Sequence, residues 1–240
     1  MTTRFPFLSI IIPAYNEERN LVHCLNSIFA YLPGHIPSWE LVIVDDGSTD
    51  STWDILERFE GAGYFPIRQE HAGKGQAVKT GMLFAHGEYR LFMDADLSTP
   101  VTEIDHALAE IAHADVVIGS REIDRTKVKA TLKRRVMGRI FHSFVSDLVP
   151  EIKDTQCGFK MFRDYAAKDL FENQQINGWA FDVEVLYLAL LKGYTVREMP
   201  VAWTHDEATR VRMISTSLEM LRDIMSIPMM HKSINLVRSQ

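Results

Sequence analysis

Two aspartates one residue apart, Asp94 and Asp96, close the apolar run in "LFMDADLSTP" (91–100). If the strand continues through them, alternation puts both carboxylates on one side. There they repel each other unless a cation lies between them. Hard divalent ions such as Mg2+ or Mn2+ prefer such oxygens and often complete their shell with substrate phosphates. The plainer alternative is a polar turn opening the next helix. It accounts for Ser98, Thr99 and Pro100, but not for two aspartates ahead of them.

Three further stretches carry residue types suited to an anionic ligand. "VDDGSTDST" (44–52) ends one apolar run and starts a helical one. Gly47 permits a tight turn there, and the Asp45 carboxylate can accept hydrogen bonds from a ligand ring. A polar turn with Ser48 or Asp50 as helix cap explains the same letters. "HAGKGQAVKTG" (71–81) sets two glycines and Lys74 at a helix start, where backbone N–H groups and an ammonium suit a phosphate. A glycine turn before an ordinary helix is the alternative. Neither stretch is a dinucleotide fingerprint or a Walker A loop, since the required glycines or the Ser/Thr are missing. Arg121 follows "DVVIGS", and a basic cluster runs from Lys127 to Arg139, including Lys133, Arg134 and Arg135. It suits a grip on a second phosphate, an anionic membrane surface, or simply a solvated face. The histidines, His71 and His205 among them, show no metal-ligand spacing and are taken as structural. Met213, Met220, Met225, Met229 and Met230 read as core or interface fillers.

The elements that must position these residues alternate in type. Short apolar runs at 8–13, 40–46, 89–96 and 115–120, the first β-branched at its centre, suit strands buried on both faces of a parallel sheet. Between them, 17–31, 50–60, 75–86 and 101–113 read as helices. Strand–helix alternation predicts an α/β fold with a doubly wound, mostly parallel sheet, in which ligands bind beyond the carboxyl ends of the strands. "PAYNE", "DDGSTD", "DADLS" and "GSR" all fall at those ends. Beyond residue 120 the sequence predicts an amphipathic helix over 127–149, a strand at 157–163, a helix at 181–192, a strand at 195–203 and a second amphipathic helix over 210–227. No linker or repeat interrupts the chain, so a single domain over 1–240 is expected, with 122–240 packed onto 8–121.

Composition narrows the function classes. The 240 residues carry a net charge of -6, with 46% hydrophobic and 24% charged residues. An acidic total of this kind argues against nucleic acid as partner. Two cysteines, Cys24 and Cys157, signal neither a disulfide framework nor a zinc site. The apolar N-terminal run meets Pro13 too early for a secretion signal, and no window approaches the ~20 apolar residues of a membrane span. A cytoplasmic protein, at most peripheral to a membrane, is expected.

Taken together and in order, "IIPAYNEE", "VDDGSTDST", "GKGQAVKTG", "DADLS", "GSR", "DTQCGFKMF", "FDVEVL" and "PVAW" resemble the inverting family-2 glycosyltransferases. They are most similar to the branch that makes polyprenyl-phosphate sugars, and to its dolichyl-phosphate glucosyl members more than its mannosyl ones. The resemblance covers residues 8–203 and implies the nucleotide-sugar-binding GT-A fold. By motif, Pro13, Tyr15, Glu17 and Asp45 would line the nucleoside pocket. Asp94 would lie near ribose or metal, and Asp96 would bind Mg2+ or Mn2+ with the donor diphosphate. Lys74 would sit near the donor. Arg121 with Arg134 or Arg135 would grip the acceptor phosphate, and Asp154, Lys160 and Asp182 would face the sugar or shape the site. The division into a donor half (8–121) and an acceptor-side half (122–240) follows from the same comparison.

Two departures bear on mechanism. Several relatives carry transmembrane helices that this chain lacks, so direct contact with an anionic membrane or a membrane-anchoring partner protein would have to serve instead. Others in the wider family place a carboxylate where this sequence reads Cys157 or Gly158, so no general base carries over. A phosphate acceptor explains why none is needed: its second pKa near ~6 leaves it largely dianionic at neutral pH. The implied reaction is transfer of a hexose, glucose first, from a nucleotide sugar to a polyprenyl phosphate with inversion, at the cytoplasmic face of a membrane. Mannosyl transfer, a soluble or glycan hydroxyl acceptor with Asp182 or Asp154 as base, and a non-catalytic nucleotide-sugar-binding module are the alternatives.

Overall fold

The computed structural model describes residues 5–124, 128–129, 145–204 and 215–234. The apolar runs become the central strands β1 (Leu8–Ala14), β2 (Trp39–Asp45), β4 (Tyr89–Met93) and β5 (Val116–Ser120). Their side chains divide by alternation. Ile11, Val42 and Val44 enter one core, while Ile10, Ile12, Leu41 and Ile43 enter the other. A strand that must satisfy two cores cannot alternate apolar with polar residues, and these sequences are mostly apolar, the buried Ser9 and Glu40 bonding each other across β1 and β2.

One face is covered by α1 (Leu21–His35) and α4 (Glu103–Ile111), which contribute Leu25, Ile28, Ile104 and Ala107. The other is covered by α3 (Lys74–Phe84), α5 (Asp164–Asn173) and α6 (Phe181–Lys192), with Val78, Met82, Leu170 and Leu186 among their contacts. The short α2 (Thr52–Arg58) follows β2, and Asp50 Oδ1 accepts the Thr52 N–H at 2.9 Å, as expected of a helix start.

With β3 (Tyr64–Arg68), β7 (Phe159–Arg163) and β8 (Val196–Pro200), the sheet has seven strands in the order β3-β2-β1-β4-β7-β5-β8. β7 runs antiparallel between β4 and β5, and the other pairings are parallel. Two elements were not expected from the sequence. β3, "YFPIR", contains Pro66, which is tolerable because β3 is an edge strand. α5 hides in a polar stretch that buries only Ala166, Ala167, Leu170 and Phe171 and leaves Tyr165 exposed.

Three boundaries require correction. β4 stops at Met93 rather than running through Asp96, and Leu97 takes a φ of 50° in the turn that follows. The helix expected over 127–149 does not begin there: Val128–Lys129 form a short strand, β6, paired in parallel with β9 (Trp203–Thr204). Val128, β-branched, suits that pairing better than a helix start, and residues 130–144 of the expected helix lie outside the described residues. The second amphipathic helix is observed as α7 (Ser215–Met230), running past its expected end at 227, with 210–214 outside the described residues. Among the described residues, no helix is long and apolar enough to cross a membrane.

Candidate active site

The carboxyl ends of β1, β2 and β4 converge as the motif positions predict. The loop after β1 is laced to the loop after β2. Asn16 N–H donates to Ser48 Oγ at 2.9 Å, Thr49 N–H to Asn16 Oδ1 at 2.8 Å, and Glu17 N–H to Thr52 Oγ1 at 2.8 Å. Pro13 sits beside Val44 within the sheet, just below this junction.

The two aspartates that end β2 have separate tasks. Asp46 is saturated. Its Oδ1 accepts from Gln69 Nε2 (2.6 Å) and Ala72 N–H (3.0 Å), and its Oδ2 from Gly73 N–H (2.9 Å). His71 Nδ1 approaches the same Oδ2 at 2.8 Å. Asp46 thereby shapes the glycine turn, and Gly47 must lack a side chain because a Cβ there would lie 2.8 Å from His71 N at a φ of +71°. Asp45 is as deeply buried but is left with a spare acceptor. Oδ1 takes the Ser48 N–H (3.2 Å), whereas Oδ2 has no hydrogen bond and only Arg68 Nε at 3.4 Å. A buried carboxylate oxygen without a donor is costly unless a ligand supplies one. Beside it Tyr15, half exposed, stacks on His71 with ring centroids 4.2 Å apart.

At the end of β4 the charge is unbalanced. Asp94 lies just past the strand and receives Lys74 Nζ at 2.6 Å. Asp96 lies in the turn, its Oδ1 accepting the Ser98 N–H at 2.9 Å. The two are thus neighbours through a turn, not through strand alternation, because β4 has already ended. Burial, then the charge of Asp94, pushes the Asp96 carboxyl above its ordinary value. Glu17 is raised by burial and by Asp96 and Asp94 in turn, despite the hydrogen bond from Asn20 and the charge of Lys74. Burial opposes the charge on Lys74, but Asp94, Asp182 and Asp96 outweigh it and raise its pKa. Its ammonium also lies 5.0 Å over the ring of Trp179. Four carboxylates, Glu17, Asp94, Asp96 and Asp182, therefore feel one ammonium, and Asp94 bonds it directly. Among the described residues no three His, Cys, Asp or Glu side chains are grouped to hold a metal. Two carboxylates with uncompensated charge nonetheless fit a hard cation that takes its remaining ligands from phosphate and water.

Under β7 the charges are matched. Arg121 meets Asp154 through two bonds, Nε–Oδ2 and Nη2–Oδ1, each 2.7 Å, and its backbone N–H adds a third at 2.9 Å. Burial alone would raise the Asp154 pKa, but Arg121 holds it below the usual carboxylate range. Lys160, fully buried in β7, donates to Asp182 Oδ1 at 2.5 Å and to the Cys157 carbonyl at 2.7 Å, with the Phe92 ring 5.2 Å away. Burial raises the Asp182 pKa in spite of Lys160 and Lys74. The thiol of Cys157 is pushed up to about 12 by burial. At Gly158 a Cβ would fall 1.9 Å from Asp94 Oδ2, so any side chain there would have to displace that carboxylate.

The structure therefore gathers Tyr15, Glu17, Asp45, Lys74, Asp94 and Asp96 at one edge of the sheet. Arg121 and Asp182 are held in ion pairs of their own, and Arg134 and Arg135 lie outside the described residues. Three residues escaped the sequence reading of the site. Asp46 was an undivided half of "DDGS", and His71 passed as structural. Trp179 was one letter of "GWAFDVE", with no spacing signal to single it out.

Residues 9–171 match the family described as Glycosyl transferase family 2. A dolichyl-phosphate beta-glucosyltransferase of Dictyostelium discoideum is 37% identical over 92% of this chain and 73% of its own length. One from Saccharomyces cerevisiae is 33% identical over 93% of this chain and 74% of its own. Among solved structures, glucosyl-3-phosphoglycerate synthase from Mycobacterium tuberculosis, crystallised with Mn2+, UDP and phosphoglyceric acid, superposes with a TM-score of 0.66. It is 16% identical over 92% of this chain and 77% of that one, a likeness of fold. With its motifs at the carboxyl edge of a mostly parallel sheet and this match over most of its length, the chain belongs to glycosyl transferase family 2.

Proposed function

We propose that this glycosyltransferase moves glucose from UDP-glucose to dolichyl phosphate, with inversion at the anomeric carbon. The observation that carries the proposal is the cluster of Glu17, Asp94 and Asp96 around a single ammonium, Lys74, beside a buried Asp45 oxygen that lacks a donor. The names of the relatives support the sugar and the acceptor, and the UDP and Mn2+ of the M. tuberculosis enzyme support the donor and the ion.

In this scheme Tyr15 stacks on the nucleobase and Asp45 Oδ2 accepts one of its ring N–H groups. Asp94 and Asp96 hold Mg2+ or Mn2+, which when bound neutralises charge on the donor diphosphate. Lys74 adds a second positive centre at the same place. The acceptor phosphate arrives as a dianion and needs no base. That suits a site in which both candidate bases are engaged, Asp154 by Arg121 and Asp182 by Lys160. Because Arg121 is also engaged, Arg134 and Arg135 carry the main share of acceptor-phosphate binding, and 122–240 serves as the acceptor side of the donor half 8–121. A hydroxyl acceptor would require Asp182 or Asp154 to leave its partner.

A lipid acceptor places the protein at a membrane, on its cytoplasmic face. The basic cluster would contact anionic lipid there, alone or beside an anchoring partner. The test is to incubate the chain with Mn2+, labelled UDP-glucose and dolichyl phosphate in mixed micelles. Label should enter the lipid. No label in lipid with any common nucleotide sugar rejects the acceptor, and label in a soluble glycan instead selects the hydroxyl alternative.

A further inference from the structure

Immediately after α7, His231 is buried against the equally buried Glu184 of α6, Nε2 to Oε1 at 2.7 Å. A carboxylate only accepts, so the ring nitrogen carries the proton. Glu184 spends its remaining capacity on one short segment. Oε1 also takes the Gln175 N–H and Oε2 the Ile176 N–H, both at 2.8 Å. That segment presses on the glycine turn that presents Lys74. Gln174 Nε2 donates to the Gly75 carbonyl at 3.0 Å, Lys79 Nζ to the Gln174 carbonyl at 2.6 Å, and Gln76 N–H to the Asn177 carbonyl at 3.1 Å. The approach is close enough to exclude side chains. A Cβ on Gly73 would lie 2.6 Å from the Asn177 oxygen, and one on Gly75 2.6 Å from that of Ile176. The same segment leads into Trp179, whose ring lies under the Lys74 ammonium.

We infer that His231 and Glu184 are positioning residues for the donor site: seating the C-terminal helix fixes residues 174–177, and these fix the turn that aims Lys74 at Asp94. The two glycines of the turn are then accounted for by this clamp as well as by a phosphate. The lysine's placement depends on a residue more than 150 positions later. A buried carboxylate that loses one charge-assisted bond holds its other partners less firmly. The inference rests on the proposed donor site, so its test uses two separate readouts.

In His231→Leu, UDP binding in the presence of Mn2+ should weaken about tenfold, with a smaller fall in kcat at saturating donor. Amide exchange at Ile176 and Gln76 should quicken while Ile43 in β2 stays protected. His231→Gln can donate a similar bond and should return both readouts to within about threefold of wild type. Should the leucine variant not fold, His231→Asn, whose amide reaches less far, gives a milder loss on the same two scales. Wild-type UDP affinity together with wild-type exchange at Gln76 overturns the inference. If the wild-type chain binds no UDP, the donor reading fails by itself, and the exchange at Gln76 alone decides whether the clamp exists.

Discussion

The carboxylates past β4 and the charges beneath β7 are close neighbours, yet they are arranged on opposite terms. At the mouth, Glu17, Asp94 and Asp96 outnumber Lys74, and burial, with the charge of neighbouring aspartates, holds the Glu17 and Asp96 carboxyls above their ordinary values. Under the sheet, Arg121 and Asp154, and Lys160 and Asp182, are matched one to one within hydrogen-bonding distance. The first arrangement is relieved by a proton or by an outside cation, and the second is tolerated only where geometry satisfies each buried charge. On the proposed function, the difference separates charge kept for a ligand from charge kept for shape.

The largest test takes a carboxylate from the mouth. Asp96→Asn should slow sugar transfer on the order of 10³-fold while the melting temperature holds or rises, since a repulsion is relieved. A rate within tenfold of wild type, measured with saturating Mn2+ and donor, would place the cation elsewhere and dissolve the comparison.

The next takes one partner from the floor. Lys160→Met should cost about 3–5 kcal/mol in urea unfolding, because a buried aspartate loses its counter-charge. The double variant Lys160→Met with Asp182→Leu should recover most of that loss. If the single variant is as stable as wild type, Lys160 is not holding shape.

The smallest effect is a difference in pH response. The Asp96 and Glu17 carboxyls titrate above their ordinary 3.8 and 4.5, so between those values and the raised ones the folded state binds the extra proton. Their contribution to stability therefore falls as pH rises through that window. The Asp154 carboxyl titrates below its ordinary 3.8, so its contribution is present above that value and is lost on further acidification. The melting-temperature gain on adding Mn2+ should accordingly grow from pH 4.5 to pH 7 by a few degrees, roughly the shift of 1 kcal/mol. In Asp96→Asn that growth should vanish. A gain independent of pH would mean that the ion does not draw on these carboxylates.

The carboxyl edge of the sheet was legible in the sequence because its evidence is local. A short apolar run followed by a polar turn gives β1, β2, β4 and β5 and puts Tyr15, Asp45, Asp94 and Arg121 at their ends without knowledge of any partner. Strand alternation was expected to bring Asp94 and Asp96 together, but a turn rather than an extended strand makes them neighbours. What stayed hidden depends on distant segments. The division of labour between Asp45 and Asp46 is decided by Gln69, Ala72 and Gly73. Engagement of Arg121 is decided by Asp154, and the shape of the lysine turn by Asn177. β3 and α5 were missed because one carries a proline and the other has a short apolar stripe in polar surroundings. The methionines expected as fillers divide: Met220 packs against the core, whereas Met225 and Met229 are 81% and 80% exposed.

The antiparallel strand β7 bears on how the molecule is assembled. β4 and β5 are consecutive parallel strands, yet they do not touch; the slot between them is filled by a segment that begins at Phe159. On a ribosome, the strands that carry the DAD and GSR ends emerge well before the one that joins them. Until then each presents an open edge of apolar strand, the kind that pairs with the wrong neighbour. Loop closure over that distance slows completion of the sheet. The fold thus passes through a vulnerable interval in synthesis, and substitutions in β7 should lower the yield of soluble protein before they lower the activity of what folds.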